Sequence, residues 1–273
     1  MYISKSPQRR LRHTPGTNVR LSTNGAHNFA AKHALVQYTS NSIYTFIPKN
    51  GCTTMRLSLA SANGCIQDLE DWTWVHTNNA TFSANLKELL CADYTFVILR
   101  CPFRRLASAF LDKIVERTPE YWDLFRQCND SLDPTKFSFR DFLNTIGRAP
   151  RFRNNIHWRP QVQFLVYQDY DDWFSLEHFG DAAEKITSNT GMQILDARNL
   201  SRHGTQSLKQ AAPKNFVDWP ISELEILKRD GSIPAYADLY DDETIKLTRS
   251  IYSEDLTLYS EQCAGNDLLF SAT

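Results

Sequence analysis

Residues 47–54 contain the residue types of a phosphate-binding turn. The segment reads Ile-Pro-Lys-Asn-Gly-Cys-Thr-Thr, with Lys49 two positions before Gly51. Glycine lets the backbone approach an oxyanion, a helix that starts there offers unpaired N–H groups and the positive end of its dipole, and Lys49 adds a full charge. The nucleoside triphosphate signature places its lysine after the glycine, so this segment does not match it. From the segment alone, a capped helix start with a solvated Lys49 stays open as the alternative.

A second group of anion-binding residue types lies at residues 100–110. The sequence is Arg-Cys-Pro-Phe-Arg-Arg-Leu-Ala-Ser-Ala-Phe, so Arg100 precedes Ser108 by eight positions. A guanidinium can bind a phosphate through two parallel hydrogen bonds, and a serine hydroxyl can add a short contact. Arg100 by itself could equally pair with a carboxylate. The two segments together favour an anionic ligand, because ligands of α/β sheets bind beyond the carboxyl ends of the strands.

Both segments follow stretches that predict buried β-strands. Apolar and β-branched runs at residues 43–47 and 94–99 end close to the two segments, and a helical pattern follows each run. A third strand is predicted near residues 173–177, ahead of a helix at about 181–190. Continuous apolar strands that alternate with helices predict an α/β fold, a three-layer sandwich with a mainly parallel sheet and a phosphate-binding strand-loop-helix.

The ends of the chain differ from this pattern. Residues 1–40 mix Pro, Thr, Asn, Ser and Arg without periodicity, which predicts an irregular basic N-terminal arm. A final amphipathic helix is predicted over residues 241–259. No internal repeat or composition break divides the rest, so residues 41–273 are predicted to form a single domain.

Charge is distributed unevenly along the 273 residues. Lys and Arg number 30 and Asp and Glu number 31, which gives a net charge of −1 and argues against a generally basic, nucleic-acid-binding protein. Residues 1–67, however, contain eight basic and no acidic residues, so the remaining residues carry a net charge of −9. Residues 148–160 form a second acid-free stretch, with four arginines and one histidine. We expect the N-terminal quarter to meet a negatively charged ligand.

Metal, disulfide and membrane signals are weak. The six cysteines show no CxxC spacing, so we expect no structural zinc and no disulfide framework. The longest aliphatic runs fall far short of the ~20 residues that span a bilayer, and no signal peptide is recognisable. We therefore expect a cytoplasmic protein without stable membrane insertion, with the Golgi lumen as its location only if an anchor is missing. The oligomeric state does not follow from the sequence.

The two anion-binding segments resemble motifs of the carbohydrate sulfotransferases that use 3′-phosphoadenosine 5′-phosphosulfate (PAPS), the family of the chondroitin, dermatan and HNK-1 type enzymes (sulfotransferase family 2). The 5′-phosphosulfate loop of that family, P-K-x-G-C-[ST]-x, is similar to residues 48–54. Its 3′-phosphate motif, R-x-P-F-x-R-L-x-S-A-[FY], is similar to residues 100–110. Residues 199–202 resemble a late N-x-S segment of the family. The resemblance covers about residues 43–260.

The resemblance implies a sulfotransferase that moves a sulfuryl group from PAPS to a hydroxyl of a carbohydrate, without a metal. In such an enzyme Lys49 would be catalytic, because its ammonium stabilises the negative charge that grows on the departing nucleotide. Arg100 and Ser108 would bind the 3′-phosphate. The residues implied to bind the 5′-phosphosulfate are Lys49, Asn50, Gly51, Cys52, Thr53 and Thr54.

A histidine is the natural general base for the acceptor hydroxyl, because its pKa lies near neutral pH. His76 lies between the two motifs, where related glycan sulfotransferases often have a catalytic histidine, and we rank it first. His157, in the second acid-free stretch, ranks second. For either one a hydrogen-bonded structural role is the alternative, and Glu70 or Asp71 would be a weaker base that needs a raised pKa.

The stretch at residues 148–160 offers groups that suit an acidic or sulfated glycan. Arginine binds carboxylate and sulfate through two hydrogen bonds, and tryptophan stacks on sugar rings. As alternatives, these arginines neutralise the acidic C-terminal half and the tryptophan belongs to the core. The predicted acceptor-binding residues are Arg151, Arg153, Arg159 and Trp158. Solvated helix faces are the favoured interpretation of Arg56, Arg104 and Arg105.

Two other functions stay open from the sequence. A phosphate-loop kinase-like phosphotransferase would use a similar loop, although the order of lysine and glycine counts against it. The other is a nucleotide- or glycan-binding module without activity, and the retained Lys49 counts against that function. The sequence does not identify the acceptor, which is a glycan or another compound with a hydroxyl group.

Overall fold

A computed structural model describes residues 9–67, 69–78, 80–128, 132–133, 135–197, 208–263 and 267–271 of the 273-residue chain. The chain divides into two compact units. Unit 1 comprises Met1–Arg100 and Gln161–Ser201, and unit 2 comprises Cys101–Pro160 and Arg202–Thr273. The single domain over residues 41–273 stays a prediction.

The elements of the two units are as follows. The strands are β1 (Ala34–Gln37), β2 (Ser42–Thr45), β3 (Tyr94–Leu99), β4 (Asp172–Ser175), β5 (Lys209–Gln210) and β6 (Ser232–Ile233). The α-helices are α1 (Gly25–Ala31), α2 (Cys52–Ala62), α3 (Trp74–Thr77), α4 (Leu86–Cys91), α5 (Pro102–Ala109), α6 (Pro119–Gln127), α7 (Phe139–Arg148), α8 (Phe179–Thr190), α9 (Ile221–Arg229), α10 (Asp242–Ile251) and α11 (Ser253–Gln262).

Unit 1 is built around a four-stranded sheet in the order β1-β2-β3-β4. β1 runs antiparallel to β2, whereas β2, β3 and β4 run parallel to one another. The strands bury apolar side chains, and the rings of Tyr44 on β2 and Phe96 on β3 stack at 5.2 Å. The three predicted strands correspond to β2, β3 and β4. Their carboxyl ends meet at one edge of the sheet, which places the residues after Thr45, Leu99 and Ser175 side by side.

Helices flank this sheet, as expected for parallel strands that are covered by their own crossover connections. α2 follows β2 and contributes Met55, Leu57 and Leu59 to a core that also contains Phe96 and Ile98. α8 follows β4 and packs against it. The mixed α/β architecture with a mainly parallel sheet confirms the predicted fold class.

The N-terminal segment differs from the predicted irregular arm from residue 9 onward. Arg9 is 9 % exposed; its guanidinium pairs with Asp171 at 2.7 Å and donates to the carbonyl oxygens of Ala92 and Asp93. Leu11 forms an antiparallel bridge with Tyr167. α1 and β1 also lie within the predicted arm. Arg9 therefore anchors this segment to the beginning of β3 and to the residue before β4.

Unit 2 is mainly helical in its described part. α5 has Pro102 at its first turn, where a missing N–H costs no hydrogen bond, and it continues into a π-helical turn at Phe110–Ile114. α7 and α10 each begin with a capping box, Ser138 with Asp141 and Asp241 with Thr244. β5 and β6 form a small parallel pair.

The predicted helix over residues 241–259 is two helices, α10 and α11, interrupted at Tyr252. The backbone of Tyr252 leaves the helical region, with φ −118° and ψ 32°. Its side chain is 2 % exposed, and its hydroxyl donates to the carbonyl oxygen of Trp158. The apolar periodicity continues across the break, and for this reason the sequence pattern predicts one helix.

Across the described ranges, no helix combines the length and the apolar character needed to cross a membrane.

Candidate active site

The loop between β2 and α2 has two residues in the left-handed backbone region. Lys49 has φ +73° although it carries a side chain, and Gly51 also has φ +73°. Gly51 is the N-cap of α2 and has no side chain with which to cap it, so the first N–H groups of the helix are left for another acceptor. The positive end of the helix dipole points in the same direction. The loop therefore presents backbone donors and a positive potential to an anion.

Gly51 also lies close to its neighbours in unit 1. A Cβ atom at this position would lie 3.0 Å from Cδ1 of Leu176, just beyond β4, and 3.9 Å from Cε2 of Phe179. Both the backbone angle and the space at this position therefore favour glycine. Cys52, Thr53 and Thr54 form the first turn of α2 and are half-buried.

Arg100 lies next to this loop. It follows β3 directly, and its Nη1 donates to the carbonyl oxygen of Lys49 at 2.8 Å. Arg100 is half-buried, as is Lys49. The structure thus brings the lysine of the first motif and the arginine of the second motif together at the carboxyl edge of the sheet.

Gln161 connects the same two segments, and sequence reasoning did not identify it. It is 1 % exposed; its Oε1 accepts from Asn50 Nδ2 at 2.6 Å and from the Arg100 N–H at 3.1 Å. Its Nε2 donates to the Arg100 carbonyl oxygen at 2.9 Å. The only local signal is its position directly after Pro160, at the end of the second acid-free stretch.

His76 lies on the short helix α3 and is exposed. Its ring packs edge-on against Trp72, with the centroids 5.6 Å apart. Arg56 connects α2 to α3, because its guanidinium donates to the carbonyl oxygen of Val75. Arg56 is 7 % exposed and lies over the ring of Phe46, and burial lowers its pKa. The expected solvated face is therefore wrong for Arg56, which holds the histidine-bearing helix instead.

Ser108 lies on α5 in unit 2 and is 8 % exposed. Arg105, on the same helix, is 1 % exposed and donates to the carbonyl oxygens of Arg159 at 2.8 Å and Ile156 at 3.1 Å. The solvated face predicted for Arg105 is wrong as well, because two backbone acceptors replace water around its guanidinium. Arg104 is half-buried.

His157 is held by a carboxylate of α6. Its Nε2 lies 3.0 Å from Oε1 of Glu120, and Thr118 donates to the other carboxylate oxygen at 2.6 Å. The hydrogen bond from His157 holds the pKa of Glu120 well below its usual range, against the effect of burial. Nδ1 of His157 is buried. With one ring nitrogen on Glu120 and the other buried, this geometry favours the structural role of His157 over that of a base.

The predicted acceptor-binding residues lie in unit 2 and differ in exposure. Arg151 is exposed, with its guanidinium over the ring of Phe152, whereas Arg153 is half-buried and donates to the carbonyl oxygen of Ile146. Arg159 is half-buried, and burial lowers its pKa.

Trp158 is a core residue of unit 2. It is 1 % exposed, and its Nε1 donates to the carbonyl oxygen of Phe152 at 2.8 Å. Its ring packs edge-on against Phe142 at 5.4 Å. Neither face of the indole is open to a sugar ring, so the structure supports the core alternative and not the predicted stacking role.

A model of the sulfotransferase family matches residues 32–260 of the chain. The chain belongs to sulfotransferase family 2. No significant match is found among curated proteins or among solved structures. The match spans both motifs and most of each unit, so this sulfotransferase is an enzyme that transfers a sulfuryl group to an acceptor hydroxyl.

In this sulfotransferase the first motif and Arg100 lie together in unit 1, with His76 on a helix connected to α2. The residues placed in unit 2 are Ser108, Arg151, Arg153, His157, Trp158 and Arg159. The N-x-S segment at residues 199–202 lies outside the described residues. In the ranges that the structure describes, His, Cys, Asp and Glu side chains form no group of three or more that could hold a metal ion. That the reaction needs no metal stays an expectation.

Proposed function

We propose that this sulfotransferase uses PAPS as its donor and a carbohydrate hydroxyl as its acceptor. The observation that carries the proposal is the contact between the two motifs: Arg100 donates to the carbonyl oxygen of Lys49, beside a left-handed Gly51 and the start of α2. A ligand with two separate anionic groups suits this arrangement, because the loop and the arginine supply two separate sets of donors.

The donor groups fit a sulfonucleotide. The backbone N–H groups at the start of α2 donate hydrogen bonds, as do the hydroxyls of Thr53 and Thr54 and the ammonium of Lys49. We assign the 5′-phosphosulfate to this loop and the 3′-phosphate to Arg100. Ser108 keeps the 3′-phosphate role that its sequence motif implies.

Lys49 has the central part in the proposed mechanism. PAPS, when bound, supplies an activated sulfuryl group whose departure leaves negative charge on the nucleotide. The ammonium of Lys49 stabilises this charge more strongly in the transition state than in the ground state, and so it raises turnover and not only affinity. The half-buried position of Lys49 strengthens the effect, because solvent screens its charge less than at the surface.

His76 is the proposed general base. Its side chain is exposed and therefore accessible to an acceptor, whereas His157 is engaged by Glu120. The hydrogen bond from Arg56 fixes Val75, the residue before His76, and Trp72 packs against the ring of His76. In the acceptor-binding role, exposed Arg151 is the best placed of the predicted arginines, since Arg153 donates to a backbone carbonyl.

A transfer assay with labelled PAPS and a panel of glycans tests the proposal. Lys49→Ala should lower turnover by about 10²–10³-fold, the range typical of removing one preorganised group from a developing charge. Lys32→Ala is the matched control, because Lys32 is an exposed lysine of the same unit. His76→Ala should lower turnover more than His157→Ala when both variants are folded.

Two results would contradict the proposal. Wild-type protein that transfers no sulfuryl group from PAPS to any glycan would refute the donor or the acceptor class. Lys49→Ala with wild-type turnover would remove Lys49 from the mechanism. ATP as donor in the same assay tests the kinase alternative.

A further inference from the structure

Gln161 joins the two halves of the proposed nucleotide site through one buried amide. Its Oε1 accepts hydrogen bonds from Asn50 in the loop and from the backbone of Arg100 at the end of β3, and its Nε2 donates to the Arg100 carbonyl oxygen. We infer that Gln161 is a positioning residue that makes recognition of the 5′ and 3′ groups of the nucleotide interdependent. The inference rests on the proposed function.

The contacts form a closed ring. Arg100 Nη1 donates to the Lys49 carbonyl oxygen, Lys49 is bonded to Asn50 along the chain, Asn50 donates to Gln161, and Gln161 returns to Arg100. Asn50 is fully buried, and its Nδ2 also donates to the carbonyl oxygen of Ile98 at 2.9 Å. A shift of the loop is therefore expected to move the backbone of Arg100, and a shift of Arg100 is expected to move the loop.

Only an amide of this length completes the ring. The position requires an acceptor for two donors and a donor for one carbonyl oxygen, which a carboxylate cannot supply and an aliphatic side chain lacks. Without Gln161, the partly buried backbone N–H of Arg100 and one N–H of the buried Asn50 amide lose an acceptor. Buried donors left without a partner are costly, so the loop and Arg100 are expected to rearrange together.

The interdependence can be measured with three nucleotides that need no sulfuryl transfer. 3′-Phosphoadenosine 5′-phosphate has both groups, 5′-AMP lacks the 3′-phosphate, and adenosine 3′-phosphate lacks the 5′ group. Calorimetry gives the dissociation constant of each for wild type, Gln161→Leu and Gln161→Asn. Asparagine keeps the amide but withdraws it by ~1.5 Å, about one carbon–carbon bond, so it preserves polarity without the contacts.

Gln37→Leu is the matched control. Gln37 is a 3 % exposed glutamine of the same unit, on β1, and its amide donates to Thr39 and to the carbonyl oxygen of Thr190. This variant loses a comparable set of buried hydrogen bonds outside the proposed site. It shows what a loss of stability alone does to nucleotide binding.

We expect wild type to bind the bisphosphate at least tenfold more tightly than either monophosphate. In both Gln161 variants the affinity ratio of the bisphosphate over 5′-AMP and its ratio over adenosine 3′-phosphate should each fall by about tenfold. This is the effect of roughly one lost charged hydrogen bond at the 3′ group and one at the 5′ group, and Gln37→Leu should keep both ratios. A uniform loss of affinity for all three nucleotides, or the loss of one preference alone, would overturn the inference. Wild type without a preference for the bisphosphate would refute the proposed donor site and the inference together.

Discussion

Lys49 has a left-handed backbone conformation that glycine adopts at lower cost in free energy. Substitutions at this residue can therefore separate the role of its ammonium group from that of its backbone. At φ +73° a residue with a Cβ atom is strained by about 1–2 kcal/mol. Lys49→Ala removes the ammonium and keeps the strain, whereas Lys49→Gly removes both. We therefore expect the glycine variant to be the more stable of the two and equally inactive.

The magnitude follows from two opposing contributions. Relief of the left-handed strain stabilises Lys49→Gly by about 1–2 kcal/mol relative to Lys49→Ala. The greater conformational entropy of glycine in the unfolded chain lowers the stability of Lys49→Gly by about 0.4–1 kcal/mol relative to Lys49→Ala. The net difference is about 0.8 kcal/mol, or ~2 °C in melting temperature for a chain of this size. The carbonyl oxygen of residue 49, which accepts from Arg100, is present in both variants.

Urea unfolding and single-turnover transfer measure the two quantities on the same preparations. Both variants should lose about 10²–10³-fold in turnover. A Lys49→Gly protein that is no more stable than Lys49→Ala would show that the loop stores no strain at this residue. A Lys49→Gly protein that turns over faster than Lys49→Ala by tenfold or more would show that the backbone, and not only the charge, limits the reaction.

Two further predictions concern unit 2. The pKa of Glu120 is lowered on folding by its bond to His157, so the pair stabilises the protein above the ordinary glutamate pKa and this contribution is lost as the pH falls through the lowered value. Glu120→Gln should therefore flatten the loss of unfolding free energy as the pH falls below the ordinary glutamate pKa of about 4.3, and an unchanged slope in that acid range would contradict this assignment. Trp158→Ala should cost about 3–5 kcal/mol in urea unfolding, whereas Trp122→Ala, at a half-exposed tryptophan, should cost about 0.5 kcal/mol or less. Similar losses in the two tryptophan variants would refute the core position of Trp158.

The central strands of the sheet could be predicted because each one is a continuous apolar segment of the sequence. The runs at residues 43–47 and 94–99 are continuous and apolar, which is typical of strands covered on both faces, and they correspond to β2 and β3. α1 and β1 could not be predicted in this way, because the seven residues of α1 are too few for a clear periodicity and the apolar run at β1 is only three residues long, at positions 34–36. The break at Tyr252 was also missed, since the apolar periodicity continues across it and its buried partner, Trp158, lies 94 residues earlier in the chain.

The residues of the candidate site could be predicted where they form one continuous motif in the sequence. They could not be predicted where their contacts join residues far apart in the chain. Lys49 and Gly51 lie in one short segment with recognisable chemistry. Gln161, in contrast, lies 111 residues from Asn50 and 61 residues from Arg100, and no local pattern reports such contacts. Arg56 and Arg105 were expected to be solvated because arginine usually is. Both are buried, and their guanidinium groups donate to backbone carbonyl oxygens of other segments. No sequence pattern predicts those acceptors.

The anchoring of Arg9 has a consequence for the order in which the chain folds. Its partners lie 83 residues away at Ala92 and 162 residues away at Asp171. During synthesis the segment around Arg9 leaves the ribosome before its carboxylate partner, Asp171, has been made. The ion pair between Arg9 and Asp171 therefore forms only after 162 further residues have been added, and contacts of such long range slow folding.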